Sequence, residues 1–232
     1  MKAVILAAGK GTRMGALSEE TPKPMQKVLE KPILMRILDA LPDEINEAVI
    51  TVNYLKEQII DAFGPKYKHI KITYIEQKEL LGTAHALWAC KEHLINEDKF
   101  LVMMGDNIYT KEDLEDCLQN PWALLVEKRS SIKGVAKVVV DDAMNVQDII
   151  ERYPNEEEGF TSPGVYALTP DIFNYEMVQW GHGEYGLPQT IVLAKNDRPI
   201  KAVVLRFMLI ITTPENLKEA EDHFLSLEVE TK

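Results

Sequence analysis

The start of the chain constrains the fold most. An apolar run, Ala3–Ala7, breaks directly into Ala8-Gly9-Lys10-Gly11-Thr12-Arg13. A short apolar run bounded by glycine reads as a buried strand. Glycines at its end let backbone amides turn inward and cradle an anion. Two phosphate loops can be tested by position. A dinucleotide fingerprint needs a third glycine at position 14, which is Met14, and the next glycine is Gly15. A Walker loop needs Ser or Thr after Lys10, and Gly11 stands there. Both fail, and a glycine pair alone is most often a plain tight turn.

The rest of the first half alternates strand and helix. Strands are expected at Ala48–Val52, Ile70–Ile75 and Phe100–Met104, and helices at Ile33–Ala40, Leu55–Phe63, Thr83–Leu94 and Glu112–Leu118. This order predicts crossover units and a largely parallel sheet covered on both faces. After Pro121 strands dominate, at Ala123–Glu127, Val135–Val140, Val146–Ile150 and Gly164–Leu168, with Met144-Asn145 near a hairpin turn. A helix is expected after Thr169-Pro170, another at Leu187–Ala194, a strand at Val203–Ile211, and a final helix from Thr213-Pro214-Glu215 through Leu225. No linker, repeat or low-complexity segment interrupts the pattern. A single domain over residues 1–232 is expected, a parallel α/β half at 1–121 followed by a β-richer half at 122–232.

Composition removes several function classes. The hydrophobic fraction of 46% and charged fraction of 27% are those of a globular chain. Asp and Glu outnumber Lys and Arg 37 to 26, a net charge of −11, against a large nucleic-acid or anionic-membrane surface. A small basic pocket remains compatible with that charge. The longest apolar stretch, Ala202 to Ile211, is broken by Arg206 and falls short of the roughly 20 residues of a membrane span. The N-terminus lacks the core and cleavage region of a signal peptide. Cys90 and Cys117 form no CxxC pair, which suits a reducing, cytoplasmic setting.

The signal rises at Thr21-Pro22-Lys23-Pro24-Met25. Proline on both sides limits where Lys23 can point. A rigid lysine facing a glycine loop with its own Arg13 suits a triphosphate: arginine binds as a fork and lysine as a point charge. Leu6–Met14 together with Pro22-Lys23-Pro24-Met25 resembles the signature of sugar-phosphate nucleotidyltransferases, the pyrophosphorylases that make nucleotide sugars. The resemblance covers nearly the whole chain. It implies an α/β, Rossmann-like nucleotidyltransferase fold, with a mixed, mostly parallel sheet and helices on both faces, in a short single-domain form whose half at 1–121 binds the nucleotide and whose half at 122–232 binds the sugar phosphate. The β-helix or acyltransferase domain of longer relatives is expected to be absent.

By that resemblance Ala8, Gly9, Gly11 and Thr12 wrap the triphosphate, and Arg13 and Lys23 are catalytic cations on its phosphates. Glu76–Ala86 looks like the base-recognition stretch, with Gln77 reaching the base, Gly82 letting the backbone approach it, and Thr83 beside them. Taken alone, Gly82-Thr83 is a reasonable helix opening and Thr83 an ordinary cap. Gly105-Asp106 follows a strand, where open α/β folds place ligands. Magnesium prefers one or two carboxylates plus substrate phosphates, and the resemblance makes Asp106 its ligand. Gly134, Glu151, Arg152, Gly164 and Tyr166 match the sugar-phosphate side, with Arg152 where the family usually has lysine. Met208–Glu215 departs from the pattern: Ile210 stands at the expected second metal-ligand position.

The resemblance therefore implies an enzyme that uses magnesium to join a nucleoside triphosphate to a sugar 1-phosphate, giving a nucleotide sugar and pyrophosphate. Two alternatives stay open. One is a catalytically weak nucleotide or sugar-phosphate binding protein, which Ile210 supports. The other is a cytidylyltransferase acting on a phosphorylated alcohol such as phosphocholine. Base, sugar and oligomeric state stay open, and a homo-oligomer is compatible with the chain.

Overall fold

A computed structural model describes residues 1–181 and 183–230, with side chains through residue 227. The opening apolar run forms the strand Lys2–Leu6 at the middle of a large mixed sheet. It pairs in parallel with Glu47–Val52 on one side and Phe100–Met104 on the other, and Ile70–Glu76 extends the parallel block. Beyond Phe100–Met104 the pairing turns antiparallel, through Val165–Leu168, Ala123–Arg129, Gly159–Thr161, Lys137–Val140 and Val146–Ile150. Lys201–Val204 joins Ala123–Arg129 in parallel.

Alternation along the central strands explains the layers. Ala3, Ile5, Ile50 and Met103 pack with Ile37, Ile59 and Leu114 from the helices Ile33–Ala40, Lys56–Phe63 and Lys111–Leu118. Val4, Val49 and Val102 pack on the other face with Leu87 and Ile191 from Thr83–Ala89 and Leu187–Val192. Successive side chains in a strand point to opposite faces, so continuous apolar strands need helices on both.

Four expected elements differ in detail. The expected strand Val203–Ile211 is two strands, Lys201–Val204 and Met208–Ile210. Between them the amides of Arg206 and Phe207 donate to the Asp113 carboxylate at 2.9 and 3.2 Å instead of to a neighbouring strand. The expected helix Thr83–Leu94 divides at Cys90 (φ −93°, ψ −2°) into Thr83–Ala89 and Lys91–Leu94. After Thr169 the chain makes a 3-10 turn, Pro170–Asn174, without a threonine cap. The Thr169 hydroxyl accepts from Trp122 Nε1 at 2.8 Å. Leu187–Val192 is helical, and Leu193–Asn196 tightens to 3-10.

Candidate active site

The site sits where Lys2–Leu6 ends. The Ala7 amide donates to the Thr51 carbonyl and hydroxyl, both at 3.2 Å, which turns the glycine loop away from the sheet. From the next strand the Gly105 amide donates to the Leu6 carbonyl at 2.9 Å. A Cβ at 105 would lie 3.0 Å from both Leu6 O and Ala7 Cα, so only glycine lets these loops approach. Gly11 sits at φ +66°, where a Cβ would press to 3.1 Å on the Lys23 Cβ. Glycine therefore serves both conformation and space there.

These contacts bring the candidate charges together. Lys23 opens the 3-10 turn Lys23–Met25 and is buried. Its Nζ donates to Asp106 Oδ2 at 2.7 Å. Arg13 lies on the turn Thr12–Met14, anchored by Met14, which is 1% exposed. The Arg13 side chain is exposed and makes no ion pair among the described residues. Met14, the residue that excludes a dinucleotide fingerprint, is thus the pin of the loop.

A cleft of about 410 Å³ opens above this floor. It is lined by every residue assigned from the sequence to the nucleotide, the metal or catalysis: Ala8, Gly9, Gly11, Thr12, Arg13, Lys23, Gln77, Gly82, Thr83 and Asp106. Gln77 is buried, and its Nε2 reaches Gly82 O and His85 Nδ1, each at 3.3 Å. Gly82 has φ +98°, and a Cβ there would fall 2.5 Å from the Tyr185 carbonyl oxygen. The close neighbour that demands glycine at 82 is therefore the backbone of Tyr185, whose amide also donates to Leu81 O at 2.7 Å. Thr83 does not cap its helix; its hydroxyl accepts from the Leu187 amide at 3.0 Å. Thr51, Gly105, Glu184 and Thr212 also line the cleft. Gly105 was legible as part of Gly-Asp, whereas nothing in the sequence singled out Glu184.

The sugar-side candidates lie outside this cleft lining and divide into three places. Glu151 Oε1 accepts from Gln189 Nε2 at 2.8 Å, and the Arg152 guanidinium lies 5.7 Å from the Trp180 ring centre. Gly164 (φ +84°) backs onto Met104 of the cleft wall, where a Cβ would come within 2.5 Å of the Met104 side chain. Tyr166 is buried in the sheet, and that burial raises its phenol well above the usual range. Gly134 (φ +78°) turns the chain against Tyr153, donating to its carbonyl at 2.7 Å.

Position 210 is brought beside Asp106. Met208–Ile210 pairs with Asn107–Tyr109, placing Ile210 opposite Asn107, and the Ile211 amide donates to Asp106 O at 3.3 Å. Isoleucine offers no ligand atom. No group of three or more His, Cys, Asp or Glu that could hold a metal occurs among the described residues. What remains in the cleft lining is the Asp106 carboxylate, with one oxygen paired to Lys23, and the carboxylate of Glu184. That donor set fits magnesium only in its phosphate-borne mode, where substrate oxygens and water supply most ligands.

The family model described as nucleotidyl transferase matches residues 2–186. The chain belongs to the nucleotidyltransferase family. This nucleotidyltransferase is 37% identical to the UTP–glucose-1-phosphate uridylyltransferase AglF of Haloferax volcanii, over 95% of each chain. It is 32% identical to the bifunctional protein GlmU of Methanocaldococcus jannaschii, over 97% of this chain and 54% of that one. The chain thus spans about half the length of that relative. Among solved structures it resembles HddC from Yersinia pseudotuberculosis complexed with GMP-PN, with TM-score 0.73, 25% identity and coverage of 96% and 99%. A UDP-glucose pyrophosphorylase from Acinetobacter baumanii shares the fold at TM-score 0.81 and 19% identity, covering 100% and 99%. No described helix of the nucleotidyltransferase is long and apolar enough to cross a membrane.

Proposed function

We propose that this nucleotidyltransferase joins a nucleoside triphosphate to a sugar 1-phosphate, releasing a nucleotide sugar and pyrophosphate, with UTP and glucose 1-phosphate as the first pair to test. One observation carries the reading: the glycine loop, Arg13 (unpaired among the described residues) and the Lys23–Asp106 pair share one cleft at the end of the central strands. The 37% identity to a uridylyltransferase acting on glucose 1-phosphate supports the choice of pair.

The reaction needs no covalent enzyme intermediate. The sugar-phosphate oxygen is already an anion and attacks the α-phosphorus in line, while the α–β bridging oxygen leaves with pyrophosphate. Catalysis then consists of positioning and charge neutralisation. Backbone amides around Gly9 and Gly11 hold the phosphates. Arg13 meets the departing pyrophosphate, and Lys23, held by Asp106, faces the α-phosphate. Gln77 and the backbone at Gly82 meet the base. On the sugar side, Glu151 binds hydroxyls and Arg152 the sugar phosphate. Asp106 is the residue that would hold magnesium, which supplies further neutralisation of phosphate charge.

Pyrophosphate release, measured with magnesium across the common nucleoside triphosphates and several sugar 1-phosphates, tests this reading. CTP with phosphocholine belongs in the same screen. Release with UTP and a hexose 1-phosphate is expected. Ile210 favours a second reading, a nucleotide-binding protein with little turnover. Nucleotide binding by calorimetry without pyrophosphate from any pair would select it.

A further inference from the structure

Gly186 has φ −87° and ψ 123°, a conformation any residue adopts, so its backbone does not call for glycine. Space does. A Cβ there would lie 1.8 Å from Gln189 Oε1 and 2.8 Å from Trp180 Cδ1. The backbone is fixed from both sides and cannot step away. The Gly186 amide donates to Val178 O at 3.0 Å, and its carbonyl accepts from the Thr190 amide at 3.1 Å and the Thr190 hydroxyl at 2.7 Å. Thr190 is fully buried, and its hydroxyl also accepts from the Val178 amide at 3.0 Å.

Both side chains that fill the room at 186 hold something. Gln189 Nε2 donates to Glu151 Oε1 at 2.8 Å. An ionised carboxylate only accepts hydrogen bonds, so the amide nitrogen must face it. That orientation leaves Gln189 Oε1 buried without a hydrogen-bond partner among the described residues. Trp180 carries the Arg152 guanidinium 5.7 Å from its ring centre, on a backbone with φ +49°. Consecutive residues, Glu151 and Arg152, are thus held by the two side chains for which Gly186 leaves room.

We propose that Gln189 is a positioning residue for the sugar subsite, fixing the Glu151 carboxylate, and that position 186 is glycine so that Gln189 and Trp180 can hold Glu151 and Arg152. The inference rests on the reading of Glu151 and Arg152 as sugar-phosphate contacts. Gln189 occupies one oxygen of Glu151 and leaves the other for a sugar hydroxyl. Being neutral, it leaves the carboxylate its charge. The nearest atom an added Cβ meets, Gln189 Oε1, ends a flexible side chain that can swing aside, while Trp180 Cδ1 belongs to a rigid ring that must shift as a body, so the cost falls first on the two side chains that hold Glu151 and Arg152.

Steady-state kinetics on the full chain test this, with UTP and sugar 1-phosphate varied separately. Gln189→Met keeps the length and removes the donor. It is expected to raise the sugar 1-phosphate KM at least tenfold, with the UTP KM within twofold and the melting temperature unchanged. Gly186→Ala should move the same KM in the same direction. Gln189→Glu sets a second carboxylate against Glu151; a shared proton restores the contact, so its pH profile should shift toward acid. An unchanged sugar KM in Gln189→Met, with a wild type that turns over, overturns this inference alone. An equal rise in both KM values with a lowered melting temperature also overturns it, because that is a merely structural role. A wild type that releases no pyrophosphate from any pair overturns the inference together with the proposed function.

Discussion

Lys23 and Asp106, 83 positions apart in the chain, meet as an ion pair with Nζ 2.7 Å from Oδ2. The lysine side chain is 8% exposed and the aspartate 33%, so the pair forms the floor of the cleft and stays open on the carboxylate side. Arg13 is the opposite case, exposed on the rim and unpaired among the described residues. Removing one preorganised donor from a developing charge typically costs 10²–10³ in turnover, about 3–4 kcal/mol. Arg13→Ala and Lys23→Ala are each expected to lower kcat at least about a hundredfold. They should differ in metal response. Lys23→Ala frees an oxygen of Asp106 and should lower the magnesium concentration needed for half-maximal rate, whereas Arg13→Ala should leave it unmoved. Near-normal kcat in either variant would remove that residue from the machinery.

Ile210 lies opposite Asn107, one residue from Asp106. Ile210→Asp would add a second carboxylate beside the first. Loss of a metal's supporting partner typically costs about 10–100-fold in affinity, so supplying a direct ligand should gain at least about tenfold. Calorimetric titration of magnesium into the nucleotide complex is expected to show that gain, and a matching drop in the magnesium needed for pyrophosphate release. No change in either would mean that position 210 does not face the metal.

What was legible in the sequence follows how local each cause is. The glycine loop, Lys23 between two prolines and Gly-Asp after a strand announce themselves because turn chemistry and the end of an apolar strand are local facts. All of the nucleotide-side assignments lie in one cleft as a result. The break between Val204 and Met208 was hidden, since the group that causes it, Asp113, is 93 residues away. Glu184 was hidden because its two-residue strand, Glu184–Tyr185, carries no periodic pattern. Gly186 was hidden for a subtler reason. Its dihedrals are ordinary, and only the packed positions of Gln189 and Trp180 show what a side chain there would displace.

Asp113 is the strongest stability candidate. Its carboxylate is 1% exposed and accepts from the amides of Arg206 and Phe207, from the Arg206 guanidinium and from the Thr110 hydroxyl. It joins the helix Lys111–Leu118 to the chain that leads into Met208–Ile210. Asp113→Ala leaves the two amides without that acceptor, at about 1–3 kcal/mol for each one left unsatisfied. Urea unfolding is expected to show a loss of about 3 kcal/mol. An unchanged midpoint would mean that water or a rearranged backbone satisfies both amides.

Burial of the two thiols gives a pH prediction with a definite sign. Cys90 and Cys117 are both buried, and burial pushes each thiol up to about 12 from an ordinary value of 9.0. Below pH 9 both folded and unfolded chains carry these thiols protonated, and they contribute no pH dependence. Between about pH 9 and 12 the unfolded chain releases protons that the folded chain keeps, so stability falls as pH rises through that window. The thiolate is the reactive form, so the folded protein should also be inert to an aromatic disulfide reagent at pH 8. Two thiols per chain should react only after denaturation. Fast modification of the native protein at pH 8 would show that one of these cysteines opens to solvent without global unfolding. A Cys90→Ser or Cys117→Ser variant would then assign which helix opens, because Cys90 sits at the break between Thr83–Ala89 and Lys91–Leu94 while Cys117 lies within Lys111–Leu118.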